Sequence, residues 1–398
     1  MALFNSPENR LPGFKLALIA CICAVFVLGM GAFTRLVDAG LGCPDWPGCY
    51  GHLLWPTSAD EVTAANQAYP EMPVEHDKTW PEMVHRYFAK ALGFITVGIF
   101  TLAVLRREQE QPVKTVGALL VANIALTAVT AVVGESMEPY AVASVAVTIL
   151  TLAYLGLKRR TSTLPFKLPA FLLALIILQG LFGMWTVTLK LWPQVVTSHL
   201  LGGFTIFSLL WLLTLRLNNV HWQVPAVKLQ QLQAFRHWAV IGLVIVFIQI
   251  ALGGWTTSNY AAVACPDLPT CQNQWLPAMD FNEGFNVTQS IGPNYLGGIM
   301  DNEARIAIHF SHRVGAIITT IYLLCLIGIL FKRIGLPETR AMASVILGVL
   351  TLQLALGLGN IIFHFPVSIA VAHNLVGALL LITMVTLNHR VFTAKLAQ

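Results

Sequence analysis

The chain has 398 residues, of which 56% are hydrophobic and 11% are charged, and its mean hydropathy is +0.69. This composition excludes an ordinary soluble domain, in which about a quarter of the residues are charged. The net charge of +5 is not gathered in a basic run, so we expect no nucleic-acid partner.

About ten segments are long and apolar enough to cross a bilayer, for which about 20 residues are needed. We therefore predict an all-α polytopic membrane protein. Breaks at Trp192–Pro193 and at the short His-Phe-Pro junction before the last segment predict two helical hairpins. The predicted spans are about 14–36, 82–105, 114–133, 139–157, 168–190, 194–216, 237–257, 304–331, 341–363 and 367–388.

The basic residues predict the orientation of these spans. With both termini in the cytoplasm, most of the 24 lysine and arginine residues lie on the inner side, as the positive-inside rule requires. Two long loops, at about 37–81 and 258–303, then face outward. The N-terminal region has neither an Arg- and Ser-rich presequence nor a cleavage site of small residues. We therefore expect a retained first helix in a bacterial inner membrane, surrounded by lipid.

One set of landmarks occurs twice along the chain. The order is a threonine, a Cys-x5-Cys pair nine residues later, a His-Arg pair, and a glutamine followed 20 residues later by a histidine. The first copy is Thr34, Cys43, Cys49, His85, Gln179 and His199, and the second is Thr256, Cys265, Cys271, His312, Gln353 and His373.

This repeat predicts two pseudo-symmetric four-helix bundles, at 1–217 and 218–398. The first copy is longer because of an insert at about 106–165, which would add two helices and contains neither histidine nor cysteine. Scaffolding or packing against lipid is the role we expect for the insert.

Four histidines, His85, His199, His312 and His373, fall a few residues inside the outer ends of their spans. At 1.5 Å of rise per residue, all four lie within about ten Å of the outer interface. A histidine inside a membrane is costly and usually faces a bundle interior or a cofactor. Two imidazoles from facing helices can bind one haem iron. We predict one such site per half; the alternative is histidines that bond to neighbouring carbonyls.

A carboxylate distinguishes the two predicted sites. Glu82 precedes His85 by three residues and shares its helix face, whereas His309 takes that place before His312. This asymmetry suggests a haem that is transformed in the first half and a permanent haem in the second. The alternative for Glu82 is a carboxylate at a helix N-terminus.

The cysteine pairs and three arginines near the outer ends allow two interpretations each. In an oxidising compartment both cysteine pairs can form disulfides. We expect a structural role for Cys265–Cys271, and for Cys43–Cys49 a structural and a redox-active role are both open. Arg35, Arg86 and Arg313 could neutralise haem propionates, or they could be snorkelling side chains.

The chain resembles the haem A synthase family of proteobacteria. The resemblance is carried by GAFTRLVDAGLGCPDWPGC, EMVHRYFAKALG, LQGLFGMWTVTL, VVTSHLLGG, IHFSHRVGA and AVAHNLVGA. It implies that the C8 methyl group of haem O is oxidised to a formyl group to give haem A. The family usually has eight spans, so the insert departs from its pattern.

The resemblance also implies roles for individual residues. His85 and His199 look like the ligands of the substrate haem O, and His312 and His373 like those of a haem b cofactor. Glu82 matches the essential carboxylate, and Cys43–Cys49 the cysteine pair of the first loop. The resemblance implies a haem O synthase and the assembly of cytochrome oxidase as functional partners. Whether the protein forms a homo-oligomer stays an open question.

Three other functions compete with this one. A transmembrane b-type cytochrome, carrying electrons between quinol and a periplasmic partner, would use four histidines equally well. It would not explain Glu82 or the cysteine pairs, and its haems would lie near opposite faces. A quinone-linked disulfide oxidase would leave the histidines without a role. A transporter would need broken helices at the midplane.

Overall fold

The computed structural model describes residues 9–105 and 167–397. In this part of the chain, eight helices are long and apolar enough to cross a membrane, which confirms the predicted all-α polytopic class. Two short helices, α2 (Ala59–Ala68) and α7 (Phe281–Gly284), lie in the long loops. The eight spans are α1 (Phe14–Leu36), α3 (His76–Leu105), α4 (Lys167–Thr188), α5 (Pro193–Asn218), α6 (Ala226–Ser258), α8 (Asn302–Gly328), α9 (Pro337–Ile362) and α10 (Val367–Thr393).

Most predicted boundaries agree with these helices, but two helices begin earlier than expected. The third helix starts at His76 instead of about 82, and α6 starts at Ala226 instead of about 237. Both extensions are polar, and hydropathy marks only the part of a helix that lies in hydrocarbon. The predicted spans at 114–133 and 139–157 lie outside the described residues, so the insert stays a prediction.

Both predicted hairpins are present. Helix α4 ends at Thr188 and α5 begins at Pro193, while α9 ends at Ile362 and α10 begins at Val367. A proline at the first position suits a helix start, because its missing N–H would have no partner there.

Each half of the described chain packs as a ring of four helices. In the first ring, α1 packs against α3 and α5, and α4 packs against the same two helices, so α3 and α5 lie on a diagonal. In the second ring, α6 packs against α8 and α10, and α9 closes the ring, so α8 and α10 lie on a diagonal. The helices that carry the paired histidines therefore face each other across the centre of each ring.

The two rings meet along α1, α5, α6 and α10. Trp211 donates its indole N–H to the Thr386 hydroxyl across this interface at 2.7 Å, and Thr197 bonds to Ser258 at 2.8 Å. At one end of the molecule, strands β1 (Gln223–Val224) and β2 (Lys395–Leu396) form a short parallel pair. We call this the terminus end, and the end that carries both cysteine pairs the cysteine-loop end.

Candidate haem-binding sites

The two histidines of the first ring face each other. The ring centres of His85 on α3 and His199 on α5 are 6.4 Å apart, and the ring planes are at 84°. An imidazole nitrogen lies about 2 Å from a bound metal, so two imidazoles on one iron have centres roughly 6 Å apart. The pair is therefore spaced as axial ligands of one haem iron would be.

All four histidines pack on glycines of neighbouring helices. A Cβ built on each glycine would lie about 3 Å from the Cε1 atom of the ring: 2.9 Å at Gly31 for His85, 3.2 Å at Gly183 for His199, 3.0 Å at Gly253 for His312 and 3.1 Å at Gly357 for His373. A side chain at any of the four positions would displace the imidazole. The glycines therefore fix how closely each ring lies against the helix beside it.

The ring nitrogens of the first-half and second-half histidines have different partners. The His85 Nδ1 lies 3.1 Å from the Val27 carbonyl, which accepts the Nδ1–H and leaves the Nε2 lone pair for a metal. The His312 Nδ1 lies 3.1 Å from the Gln249 amide nitrogen, which is a donor, so the Nδ1 accepts in this contact. The Nδ1 atoms of His199 and His373 are buried and have no hydrogen-bond partner in the described part of the chain. A metal bound there would supply a partner; the Nδ1 atoms of His221, His309 and His389 are equally without one among the described residues.

Three glutamines contact these histidines from neighbouring helices. The side-chain amide of Gln179 donates to the His199 carbonyl at 2.6 Å, and that of Gln249 donates to the His312 carbonyl at 3.0 Å. The Gln353 amide lies 3.4 Å from the His373 ring. Each glutamine precedes one of the contacting glycines by four residues, so one turn of helix supplies both contacts.

Glu82 lies in a buried polar network that joins the first ring to the first cysteine loop. Its carboxylate is 4% exposed, accepts the Cys43 backbone N–H at 2.9 Å, and forms an ion pair with Arg86. The same guanidinium donates to the Asp45 and Gly48 carbonyls. Because Arg86 is itself buried, this ion pair is held in place by the loop.

The second half repeats the arginine contacts but not the carboxylate. Arg313 donates to the Cys265 carbonyl at 2.6 Å and to the Thr270 carbonyl at 2.8 Å. In the place of Glu82 stands His309, which is 5% exposed and whose Nε2 lies 3.4 Å from the Arg313 guanidinium. The asymmetry predicted between Glu82 and His309 therefore extends to their partners.

Arg86 and Arg313 anchor the cysteine loops, which is neither of the roles considered for them from the sequence. Arg35 contacts the other half of the molecule: it donates to the Thr257 carbonyl at 2.6 Å and lies over the Tyr260 ring. Loop carbonyls are invisible in a sequence pattern, so hydropathy alone could not separate these contacts from snorkelling.

Both cysteine pairs are disulfides, with S–S distances of 2.06 Å for Cys43–Cys49 and 1.96 Å for Cys265–Cys271. The two loops have the same internal bonds. Asp45 accepts the N–H groups of Tyr50 and Gly51, and Asp267 accepts those of Gln272 and Asn273.

One side chain in each of the segments 43–51 and 265–273, which contain the disulfides, has a shifted pKa. The Thr270 hydroxyl, followed by the backbone amides, holds the pKa of Asp267 below its usual range. Burial raises the pKa of Tyr50 to about 12, and the nearby carboxylates add to this shift. The Tyr50 hydroxyl donates to the Met72 and Pro73 carbonyls at 3.0 and 3.2 Å.

Sequence reasoning missed Gly31, Gly253 and Gln249. A signal was available, because Gly31 precedes Thr34 by three residues and Gly253 precedes Thr256 by three. The same register aligns Gln249 with Val27.

Comparison with known proteins agrees with this geometry. Residues 14–142 and 139–385 match the family described as cytochrome oxidase assembly protein. A haem A synthase of Shewanella oneidensis is 38% identical over 93% of this chain and 94% of its own. Haem A synthases of Rhizorhabdus wittichii (24% identical, 96% and 94% of the two chains) and Caulobacter vibrioides (22%, 96% and 96%) are also similar. The chain therefore belongs to the cytochrome oxidase assembly protein family, together with these bacterial haem A synthases.

Proposed function

We propose that this protein is a haem A synthase, which oxidises the C8 methyl group of haem O to the formyl group of haem A. The facing pair His85 and His199 carries this proposal, because its 6.4 Å spacing suits one haem iron and a buried carboxylate stands one helical turn away at Glu82. The similarity to haem A synthases over most of the chain supports the same reaction.

The proposal assigns different haems to the two halves, residues 1–217 and 218–398. His85 and His199 would hold the iron of the substrate haem O. His312 and His373 would hold haem b, whose iron would supply the redox chemistry as a permanent cofactor. The presence of Glu82 in the first half and His309 in the second supports this division, because among the described residues a carboxylate lies beside the histidines of the first half and not beside those of the second.

Glu82 would act as the proton acceptor of the reaction. Oxidation of a methyl group to a formyl group, by two successive hydroxylations and loss of water, removes protons as well as electrons, and a carboxylate can take a proton and stabilise developing positive charge. Arg86 and the Cys43 N–H would hold the carboxylate in one position. Because Glu82 is buried, these interactions act in a low-dielectric environment, which strengthens them.

The protein is a multi-pass membrane protein, and we propose the bacterial inner membrane with both termini in the cytoplasm. Among the described residues, Glu338 is the only acidic one near the terminus end, whereas several basic residues lie there, including Lys228, Arg236 and Lys332. The three ion pairs found in the described residues all lie near the cysteine-loop end. Haem O synthase and the assembly of cytochrome oxidase would be its functional partners.

The carboxylate variant Glu82→Ala tests the proposed role of Glu82. We expect purified E82A protein to retain haem, because the four histidines are intact, and to form haem A far more slowly than the wild type. Haem extracted from membranes and separated by chromatography gives both quantities. Conversion at the wild-type rate would contradict the role of Glu82, and loss of bound haem would show that Glu82 is structural.

The transmembrane b-type cytochrome stays the second candidate, because four paired histidines suit it as well. It makes no use of the buried Glu82–Arg86 pair. Recovery of bound haem b with haem O left unconverted would favour it.

A further inference from the structure

Each cysteine loop carries a pair of exposed apolar side chains, at the fourth and fifth positions after its second cysteine. In the first loop, Leu53 is 88% exposed and Leu54 is 59% exposed. In the second loop, Trp275 is 76% exposed and Leu276 is 73% exposed. We call the two pairs the loop tips. Contiguous exposed apolar groups, unlike single ones, mark sites of contact with protein or membrane.

Both loops are held against a membrane-spanning helix in the same way. Arg86 of α3 donates to the Gly48 carbonyl, and Arg313 of α8 donates to the Thr270 carbonyl. Each of these carbonyls belongs to the residue before the second cysteine. A short antiparallel bridge then joins that cysteine to the residue before the loop tip. The two loop tips are therefore presented at equivalent places beside α3 and α8.

The contacts of the first loop with α3 give its height in the membrane. Tyr87 donates its hydroxyl to the Leu53 carbonyl, and Lys90 donates to the Pro47 carbonyl at 3.4 Å. The apolar part of α3 begins near residue 82, so the backbone lies about 8 Å inside it at Tyr87 and about 12 Å inside it at Lys90. Helix side chains lean toward the N-terminus, which for α3 is the cysteine-loop end. Both polar ends therefore reach up toward the membrane surface, and Leu53 meets them where hydrocarbon gives way to headgroups.

The helix surfaces beside the loop tips are apolar and exposed. On α3, Phe88 is partly exposed and Phe94 is largely exposed. On α8, two exposed apolar residues, Val314 and Ile317, stand where α3 has its tyrosine and its lysine. Each loop tip therefore continues a surface that a membrane-spanning helix already presents to lipid.

We propose that the two loop tips are anchors that insert into lipid at the cysteine-loop end, at the boundary between headgroups and acyl chains. Segments 50–56 and 272–278, which contain the tips, carry no charged residue, so lipid suits them better than a partner that binds through ion pairs. Tryptophan in particular favours this boundary, where its ring is in hydrocarbon and its N–H is in the headgroup region. Insertion holds each loop at a fixed height, and with the first loop the backbone groups that meet Glu82 and Arg86. The inference depends on the membrane and not on the proposed function.

Depth-dependent fluorescence quenching in lipid nanodiscs tests this proposal. In the full chain, the free cysteines Cys21, Cys23 and Cys325 are changed to alanine and both disulfides are kept. A fluorophore is then attached at Leu54→Cys or at Leu276→Cys. The quenchers are phosphatidylcholines that carry a nitroxide either near the headgroup or near the end of the acyl chain. We expect a loss of fluorescence at both positions, and a larger loss with the nitroxide near the headgroup.

Two labelled controls lie outside the loop tips. Ala64 is exposed on the polar helix α2, and Glu303 is exposed in the first turn of α8. Glu303 precedes His312 by nine residues, which places it about 14 Å farther toward the cysteine-loop end. We expect Ala64→Cys and Glu303→Cys to lose no fluorescence. With one chain per disc, a second copy cannot cover the tips, so labels at Leu54 or Leu276 that are quenched no more than these controls would overturn the inference and favour a protein partner instead.

The tryptophan of the second loop tip gives a readout that needs no added cysteine. The emission of the wild type minus that of Trp275→Phe is the contribution of Trp275. We expect this contribution at the short wavelengths of an apolar environment and quenched by the same lipids. Emission typical of a tryptophan in water, unaffected by the nitroxides, would overturn the inference.

Discussion

Gly31 offers a sharp steric test of the first site. An alanine there would place its Cβ 2.9 Å from the His85 Cε1 atom, whereas carbon atoms in contact are about 3.5–4.0 Å apart. The imidazole would have to move by roughly 0.6–1 Å. Overpacking of this kind costs about 1–3 kcal/mol, which corresponds to a loss of about 5- to 150-fold in haem affinity.

The matched control for this variant lies two residues away. At Gly29 the nearest atom to an added Cβ is in Leu375 at 3.6 Å, an ordinary contact. Alanine there should be neutral or stabilising, since alanine stabilises the interior of a helix by up to about 1 kcal/mol relative to glycine. In the second half, Gly357→Ala is the test variant and Gly348→Ala is its control. A Cβ added at Gly357 would lie against the His373 ring, whereas a Cβ added at Gly348 would have no atom within 4 Å.

Haem titration of the four purified variants, followed by absorbance, measures the effect. We expect G31A to weaken the first-half site alone, G357A to weaken the second-half site alone, and both controls to bind both haems as the wild type does. If G31A and G357A bind haem as tightly as their controls, the histidines do not ligate from the positions described.

Three further predictions concern the groups around the sites. Arg86→Leu leaves the buried Glu82 carboxylate without its ion-pair partner and should lower the free energy of unfolding by about 3–5 kcal/mol. Arg313 lies beside His309, not beside a carboxylate, so Arg313→Leu should lower the free energy of unfolding by less in the same denaturation assay. Equal losses in the two variants would argue against a special stabilising role of the Glu82–Arg86 pair. The raised pKa of Tyr50, about 12 against a usual value of 10.0, means that its contribution to stability is present below pH 10 and falls as the pH rises toward 12. Thermal unfolding at pH 8 and pH 11 should show this loss in the wild type and a smaller one in Tyr50→Phe. Trp211→Phe removes the bond to Thr386 between the rings and should cost about 1 kcal/mol, seen as a lower unfolding temperature, and an unchanged temperature would mean that this bond does not stabilise the interface.

Much of the fold follows from the sequence because a membrane restricts the possible structures. Apolar length predicted the eight described spans, and Pro193 and the junction near His364 correctly marked the turns. The repeat predicted which histidines would pair, and in the first half the pair is found facing across the ring. Periodicity and spacing were sufficient for these features because each depends on residues close in the chain.

The rest depended on contacts between distant segments. The hydrogen bond from the Cys43 N–H to Glu82 joins residues 39 positions apart in the chain, and the hydrogen bond between His85 and the Val27 carbonyl joins residues 58 positions apart. Backbone groups leave no trace in residue identity, so no pattern indicated that Arg86 would hold a loop. The glycines against the histidines were visible as letters, but their role required the helices to be packed.

The central proposal is that the first half converts haem O to haem A, and one measurement tests it most directly. The chain would be expressed in a host that makes haem O but has no haem A synthase of its own, and the membrane haems extracted and separated by chromatography. We predict that haem A appears with the wild-type chain, is lost with His85→Ala and falls far below the wild-type amount with Glu82→Ala. Bound haem b accompanied by unconverted haem O would contradict the proposal.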